Sequence, residues 1–241
     1  MAATNGSASY LGGVAGYSTV KMTKCSNSGK ALLESKSAYV NAGGVVGCCT
    51  QAMDNLSNNG ETEIQFIRST AASQQIGKQA YAGGVAGYSK TSLTNSTNGK
   101  SVKITLTTED TSAQLQAGGV VGRVEGVFDN CVNNGEVTFN HGGVNGATVG
   151  GVAGWIVSSS QTGGSNNGAV TYNGLATKTA SVWLGGYAGH MGAVASVAGV
   201  KNTKPLTVSV DATTITFIGG ICGRWNATSI ENVANTADAT I

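Results

Sequence analysis

The side chains with the most chemical potential in this sequence recur at one position. Tyr17, Cys48, Tyr88, Arg123, Trp155, His190 and Arg224 each follow the last glycine of a G-G-x-x-G run, with Trp225 beside the last of them. A matching series precedes each run: Tyr10, Asn41, Tyr81, Gln116, Thr148, Trp183 and Phe217. Rings and guanidinium groups repeated in this way suit stacking on sugar rings or anchoring a protein partner. The competing role is structural, in which large side chains cover strand ends and corners where neighbouring glycines leave space. Tyr17, Tyr88, Arg123, Trp155, His190 and Arg224 are the candidate ligand-binding residues.

Other chemistries find less support. Asp54, Asp129 and Glu231 are the acids that align between units. Glycoside hydrolysis needs two carboxylates roughly 5 to 9.5 Å apart. If successive units stack like neighbouring strands, two units span about 10 Å and three about 14 Å, so only Asp54 and Asp129 come near range. Both precede an asparagine and read better as turn formers. Glu109 and Asp110 are adjacent in a loop and are expected to be solvated. No catalytic residue is expected. The five cysteines form no C-x-x-C pair and no even framework. Cys25, Cys131 and Cys222 stand where other units carry Leu, Val or Ala, as buried small hydrophobes do. His141 and His190 have no ligand-like neighbours, so neither a metal nor another cofactor is expected. A phosphate cradle needs its glycines in front of a helix. Here no helical pattern and no G-K-[ST] follow, and the run recurs seven times.

Composition narrows the classes further. Charged residues make up 11% of the 241-residue chain, less than half the usual share of roughly a quarter, which leaves Thr, Ser and Asn to cover the surface. That is the habit of extracellular β-proteins. A net charge of +2 without a Lys/Arg run argues against nucleic acid. No apolar stretch approaches the roughly 20 residues of a membrane span. The opening MAATNGSASY lacks a basic start and an apolar core, so it is no signal peptide and reads as a start placed inside a longer protein.

The elements that position these residues are repeats. The Gly-Gly pair begins at Gly12, Gly43, Gly83, Gly118, Gly150, Gly185 and Gly219, giving units that start near Tyr10, Asn41, Tyr81, Gln116, Thr148, Trp183 and Phe217 within one domain, 1–241. A second block carries an asparagine column: Asn27, Asn58, Asn98, Asn133, Asn166, Asn202 and Asn235. A third block alternates, as in ETEIQF, SVKITL, EVTF, AVTY and PLTVSV, which is the pattern of a half-buried strand. Variable loops join the units, the longest from about Arg68 to Gln79. The fold expected is all-β: a right-handed parallel β-helix of about seven coils with three short strands per coil. Stacked asparagines would hydrogen-bond down the rod. Asparagine tolerates left-handed backbone at a corner, and the following glycine would serve the same need. The alternative is a seven-bladed propeller, whose blades need a fourth strand and about 40 residues. Alternation puts Val14 and Ala15 on opposite faces, and a bulge at Gly12–Gly13 would invert the phase.

The unit GGVVGRVEGVFDNCVNNGEVTF (Gly118 to Phe139) resembles the GLUG-motif repeat of bacterial surface and secreted proteins. That pattern runs G-G-apolar-apolar-G, then apolar-x-N-C/apolar-x-N-x-G-x-V. It covers nearly the whole chain in seven copies and is weakest over Gly185 to Val210, where the NNG turn is lost. The resemblance implies an exported bacterial protein located at the cell surface or outside the cell, an adhesin or the repeat region of a surface enzyme, with no catalytic residues to carry over. The expected function is a non-enzymatic stalk, adhesive or binding region whose partner is a host glycan or extracellular protein. The alternatives are a carbohydrate-binding module and a polysaccharide-degrading β-helix enzyme. The chain stops at Ile241 inside a strand with no cap, so flanking domains of the same polypeptide are expected.

Overall fold

A computed structural model describes residues 8–37, 39–67, 79–107, 114–142, 146–158, 160–174, 181–193, 196–209 and 216–240. Residues 68–78 of the long loop expected from about Arg68 to Gln79, the Glu109–Asp110 pair and Val210 lie outside these residues, while Gln79 already begins a strand. Among the described residues every element is a strand, and no helix is long and apolar enough to cross a membrane. Strands pair in parallel with their equivalents one unit before and one unit after, so the chain is a β-solenoid. A propeller would instead pair consecutive strands within each unit.

The third coil illustrates the course. Gln79–Gly83 lies in sheet 1, Ala86–Ser89 in sheet 2, Leu93–Thr94 in sheet 3, Thr97–Asn98 in sheet 4 and Val102–Thr107 in sheet 5. Sheets 1, 2, 4 and 5 each run through seven strands, one per coil. Sheet 3 is interrupted between Phe128–Asp129 and Gln161–Thr162, where it becomes a four-stranded and a three-stranded piece. The expectation of three strands per coil is therefore corrected to five, because two segments expected to be single strands each turn a corner.

The first extra corner is left-handed backbone. Lys24, Asn55, Asn95, Asn130 and Asn232 have φ between 50° and 55°, and Gly163 and Gly199 take the same place at 67° and 68°. This column lies three residues before the asparagine column, and asparagine and glycine enter that region at the least steric cost. The Asn27 column itself does not turn left-handed. Corner and ladder, expected on one residue, are divided between two.

The second extra corner is at the Gly-Gly pair, and it bends inward. A Cβ on Gly119 would lie 2.6 Å from Asn133 Cγ of the same coil and closer still to the Gly151 carbonyl oxygen of the next. The bend resolves the phase of the two residues that follow. Val45 and Val46 donate their N–H groups to one acceptor, the Val85 carbonyl, at 3.0 Å each, and both side chains are buried in one core. Val120 and Val121 repeat this with the Val152 carbonyl.

Facing that corner, the asparagine column forms a hydrogen-bonded chain. Asn27 Nδ2 donates to Asn58 Oδ1 at 3.1 Å, and Asn58 donates to Asn98 at 2.9 Å. The chain continues through Asn133 and Asn166 at 2.8 Å each, then Asn202 and Asn235 at 2.9 Å each. The second N–H of the Asn133 carboxamide goes to the Gly135 carbonyl at 2.8 Å, and Asn58, Asn98 and Asn166 bond the carbonyl two residues on in the same way. Glycine corner and asparagine chain pinch the interior into two apolar columns. Sheets 1 and 5 enclose one, with Ile64, Ile104, Phe139 and Tyr172. Sheets 2, 3 and 4 enclose the other, with Met53, Leu93, Phe128 and Ile156.

The glycine after the ladder asparagine is also reassigned. Gly29, Gly60, Gly135 and Gly168 are not left-handed. Gly60 instead presses on the coil below, where its Cβ would collide with the Gly29 carbonyl oxygen, whereas a Cβ on Gly29 would meet only Asn27 Oδ1 at 3.8 Å. Gly60→Ala should therefore lower stability by about 2 kcal/mol or more, and Gly29→Ala should change it by less than about 0.5 kcal/mol. Midpoints of urea unfolding for the two variants check this, and equal midpoints would refute the close-approach account.

Candidate functional site

The third glycine of each G-G-x-x-G run lets sheet 2 fold back on sheet 1. A Cβ on Gly47 would sit 2.6 Å from the Leu11 nitrogen and 2.7 Å from the Asn41 carbonyl oxygen, both in sheet 1. The outer faces of these sheets thus close into a V that opens outward. Each face carries one of the two columns expected to matter. In sheet 2, Tyr17 and Tyr88 flank Cys48, and Arg123, Trp155, His190 and Arg224 follow in register. In sheet 1, Tyr10 and Tyr81 flank Asn41, and Gln116, Thr148, Trp183 and Phe217 follow. All six candidate residues therefore line one groove, opposite the second column.

Within the groove the side chains stack. The rings of Tyr10 and Tyr17 lie 4.9 Å apart and those of Tyr81 and Tyr88 5.2 Å apart, tilted by 57° and 56°. The Arg123 guanidinium sits 5.7 Å from the Tyr81 ring centre and 4.9 Å from that of Trp155. Its Nε and Nη2 both donate to Glu125 Oε1, at 3.2 and 3.0 Å. His190 lies 4.8 Å from Trp155 and 4.6 Å from Trp183, and Arg224 covers Trp183 at 4.9 Å. Such ring and cation contacts contribute about 0.5 to 1.5 kcal/mol each. They also hide the middle of the groove. Tyr81 and His190 are each 4% exposed, while Tyr17 and Phe217 at its ends are each 47% exposed. The middle of the stripe fills the re-entrant corner, and the ends face solvent.

One coil breaks the pattern. Asn41 and Cys48 are short, and the groove there deepens into a slot of about 290 Å³. Tyr10, Tyr17, Tyr39, Gln79, Tyr88 and Lys90 line the slot, and Tyr81 meets it only at its edge.

Burial dominates the electrostatics of the groove. Burial pushes the Cys48 thiol up to about 11, more than nearby Lys90 brings it down, so it stays protonated at neutral pH. Burial raises Tyr88 strongly, and its hydrogen bond to the Glu125 carboxylate raises it further. Burial, aided by Arg224, lowers His190 to about 4, which makes it a neutral ring wedged between indoles. Neither of its nitrogens, nor the indole nitrogens of Trp155 and Trp183, has a hydrogen-bond partner among the described residues.

The aligned acids lie elsewhere, on sheet 3. Asp54 accepts from Thr94 Oγ1 and Asn95 Nδ2 at 2.8 Å each, and these bonds, Asn95's first, hold its carboxyl below the ordinary value. Asp129 accepts the Thr162 N–H at 2.7 Å. Thr94 pairs with both acids, which places them two coils apart. Among the described residues no group of three or more His, Cys, Asp or Glu is placed to hold a metal. Cys131 and Cys222 are buried in the core, with Cys25 packed against it.

Both columns were readable in sequence, but not their convergence, which depends on the inward bend between them. The available signal for the slot was that one coil has short residues in both columns, Asn41 and Cys48. In comparisons with known proteins, no family model, no curated sequence and no solved structure matches the chain.

His190 gives the groove a pH signature. Its folded value of about 4 lies below the ordinary 6.5, so unfolding takes up a proton between those values. The stability it contributes is complete above pH 6.5 and is lost as pH falls towards 4. In wild type the melting midpoint should fall over that window, and in His190→Phe that part of the fall should disappear. Thermal melts at several pH values check this, and identical profiles would contradict the assignment.

Proposed function

We propose that this chain is a non-enzymatic repeat region of an exported bacterial surface protein, holding an extracellular partner in the groove between sheets 1 and 2. One observation carries the reading: two columns of aromatic and arginine side chains converge on a single outward-opening groove that follows the coils. Stacking groups that are already packed lose little conformational freedom on binding, which favours affinity. A low charge content and the resemblance to GLUG-motif repeats support the exported setting. Flanking domains of the same polypeptide belong to this reading. The non-enzymatic part is supported by the acids, which are engaged in corner hydrogen bonds and lie away from the groove.

Tyr17→Ala and Arg224→Ala test the reading, because both side chains reach solvent and their loss should leave the fold intact. The wild-type chain, applied to arrays of glycans and extracellular proteins, should retain at least one partner. Each variant should weaken that binding by about tenfold, the loss expected of a stacking anchor. Equal binding by both variants, with unchanged melting midpoints, would remove the groove from the account. Release of oligosaccharide products from a polysaccharide would make the chain an enzyme instead.

A further inference from the structure

The two ends of the solenoid complement each other. Sheets 1, 2, 4 and 5 run from the first coil to the seventh, so among the described residues their end strands have a neighbour on one side only. Core columns are part-open there, at Leu11 and Leu33 in the first coil and at Ile218 and Val233 in the seventh. Val14 is 50% exposed, whereas its equivalents Val45, Val85 and Val120 are fully buried. Open sheet edges of this kind pair with further strands. Polarity decides which strands fit. The ladder carboxamide donates to the following coil, as Asn202 does to Asn235. The two N–H groups after the Gly-Gly pair also donate onward, as those of Tyr187 and Ala188 do to the Ile221 carbonyl. The seventh coil therefore presents donors at its outer edge, on the Asn235 carboxamide and the Ile221 and Cys222 backbone. The first coil presents the matching acceptors, Asn27 Oδ1 and the Val14 carbonyl.

We propose that the seventh coil stacks on the first coil of a second copy of this chain, head to tail, in the parallel register that joins neighbouring coils. Ile218 then covers Leu11 of the second copy, and Val233 covers its Cys25, apolar on apolar. Charge selects the same pairing. Glu231 stands in the column of Asp54, which accepts from Thr94 Oγ1 and Asn95 Nδ2 of the following coil. In the second copy those two places hold Thr23 and Lys24, so the Glu231 carboxylate meets an ammonium. Asp238 stands in the column where Lys30 meets Glu61 at 3.6 Å, and it approaches Lys30 of the second copy from the other side. Glu231, Asp238, Lys24 and Lys30 are all exposed. Two first coils set face to face would instead bring basic edges together, which is unfavourable. The head-to-tail contact joins two different surfaces and does not close, so it grows a linear rod.

Sedimentation velocity on the whole chain provides the test. The average mass of the wild type should rise with protein concentration and should not stop at a dimer. One variant, Glu231→Lys with Asp238→Lys, makes the seventh-coil end basic. The other, Lys24→Glu with Lys30→Glu, makes the first-coil end acidic. Each alone should associate about tenfold more weakly than wild type, with its circular dichroism unchanged because the substituted side chains are exposed. Mixed in equal amounts, the two should recover wild-type growth, since every seventh coil then faces a first coil of opposite charge. A wild type that stays monomeric up to millimolar concentration overturns the proposal and leaves the ends to other segments of the polypeptide. It is equally overturned if growth stops at a dimer, if the reversed variants associate like wild type, or if their mixture does not recover. The four substituted positions lie outside the groove columns, so the partner tested with Tyr17→Ala and Arg224→Ala stands or falls separately.

Discussion

In each coil the carboxamide of one asparagine, buried in the five internal coils, occupies the space where the second glycine of the Gly-Gly pair would carry a Cβ. The rest of the cross-section follows from this contact. To meet the asparagine, the chain bends inward at the glycines, and from the second coil onward both residues after the pair turn into one core, whereas Val14 of the first coil is exposed. The same bend divides the interior into two apolar columns and folds the outer faces of sheets 1 and 2 towards each other. The groove outside and the ladder inside are two sides of one corner.

A buried carboxamide in an apolar interior is expensive unless its hydrogen bonds are made. In the second to fifth coils the ladder satisfies both N–H groups, one along the rod and one within the coil. Every inter-coil donor points from a coil to the one that follows it, so the chain of bonds has a single direction. A strand slipped by one residue would turn the asparagine out and bring a side chain against the corner. The ladder thus stabilises through its bonds and also holds each coil in register, keeping the groove columns aligned over seven coils.

Much of this was legible because stacking repeats the same demand at every coil. The β-solenoid, the coil count, the asparagine chain and the two outer columns all appear as vertical agreement between units. What stayed hidden has particular physical reasons. Two-residue strands such as Leu93–Thr94 are too short to show a period, so five strands read as three. Left-handed Asn95 and ladder Asn98 are the same residue type three positions apart, and only backbone geometry separates their roles. Gln161 and Tyr187 break two apolar columns, yet Gln161 Nε2 donates to the Tyr187 hydroxyl at 3.1 Å inside the core. His141 and Tyr172 form a similar buried pair at 2.9 Å. Such pairs join residues from different coils and leave no mark in either repeat alone. The groove was hidden for the same reason, since it exists only once two sheets meet.

The ladder itself is tested most directly by comparing its middle with its end. Asn133 is fully buried and bonds both neighbours, while Asn27 is partly exposed at the first rung with a single inter-coil bond. Asn133→Ala strands a donor on Asn98 and an acceptor on Asn166, and should cost about 2 to 4 kcal/mol. Asn27→Ala should cost about 1 kcal/mol or less. Unfolding free energies from urea titration give both numbers on one scale. A large loss at Asn133 with a small one at Asn27 is the predicted result, and small, equal losses at both would contradict the claim that the buried ladder organises the fold.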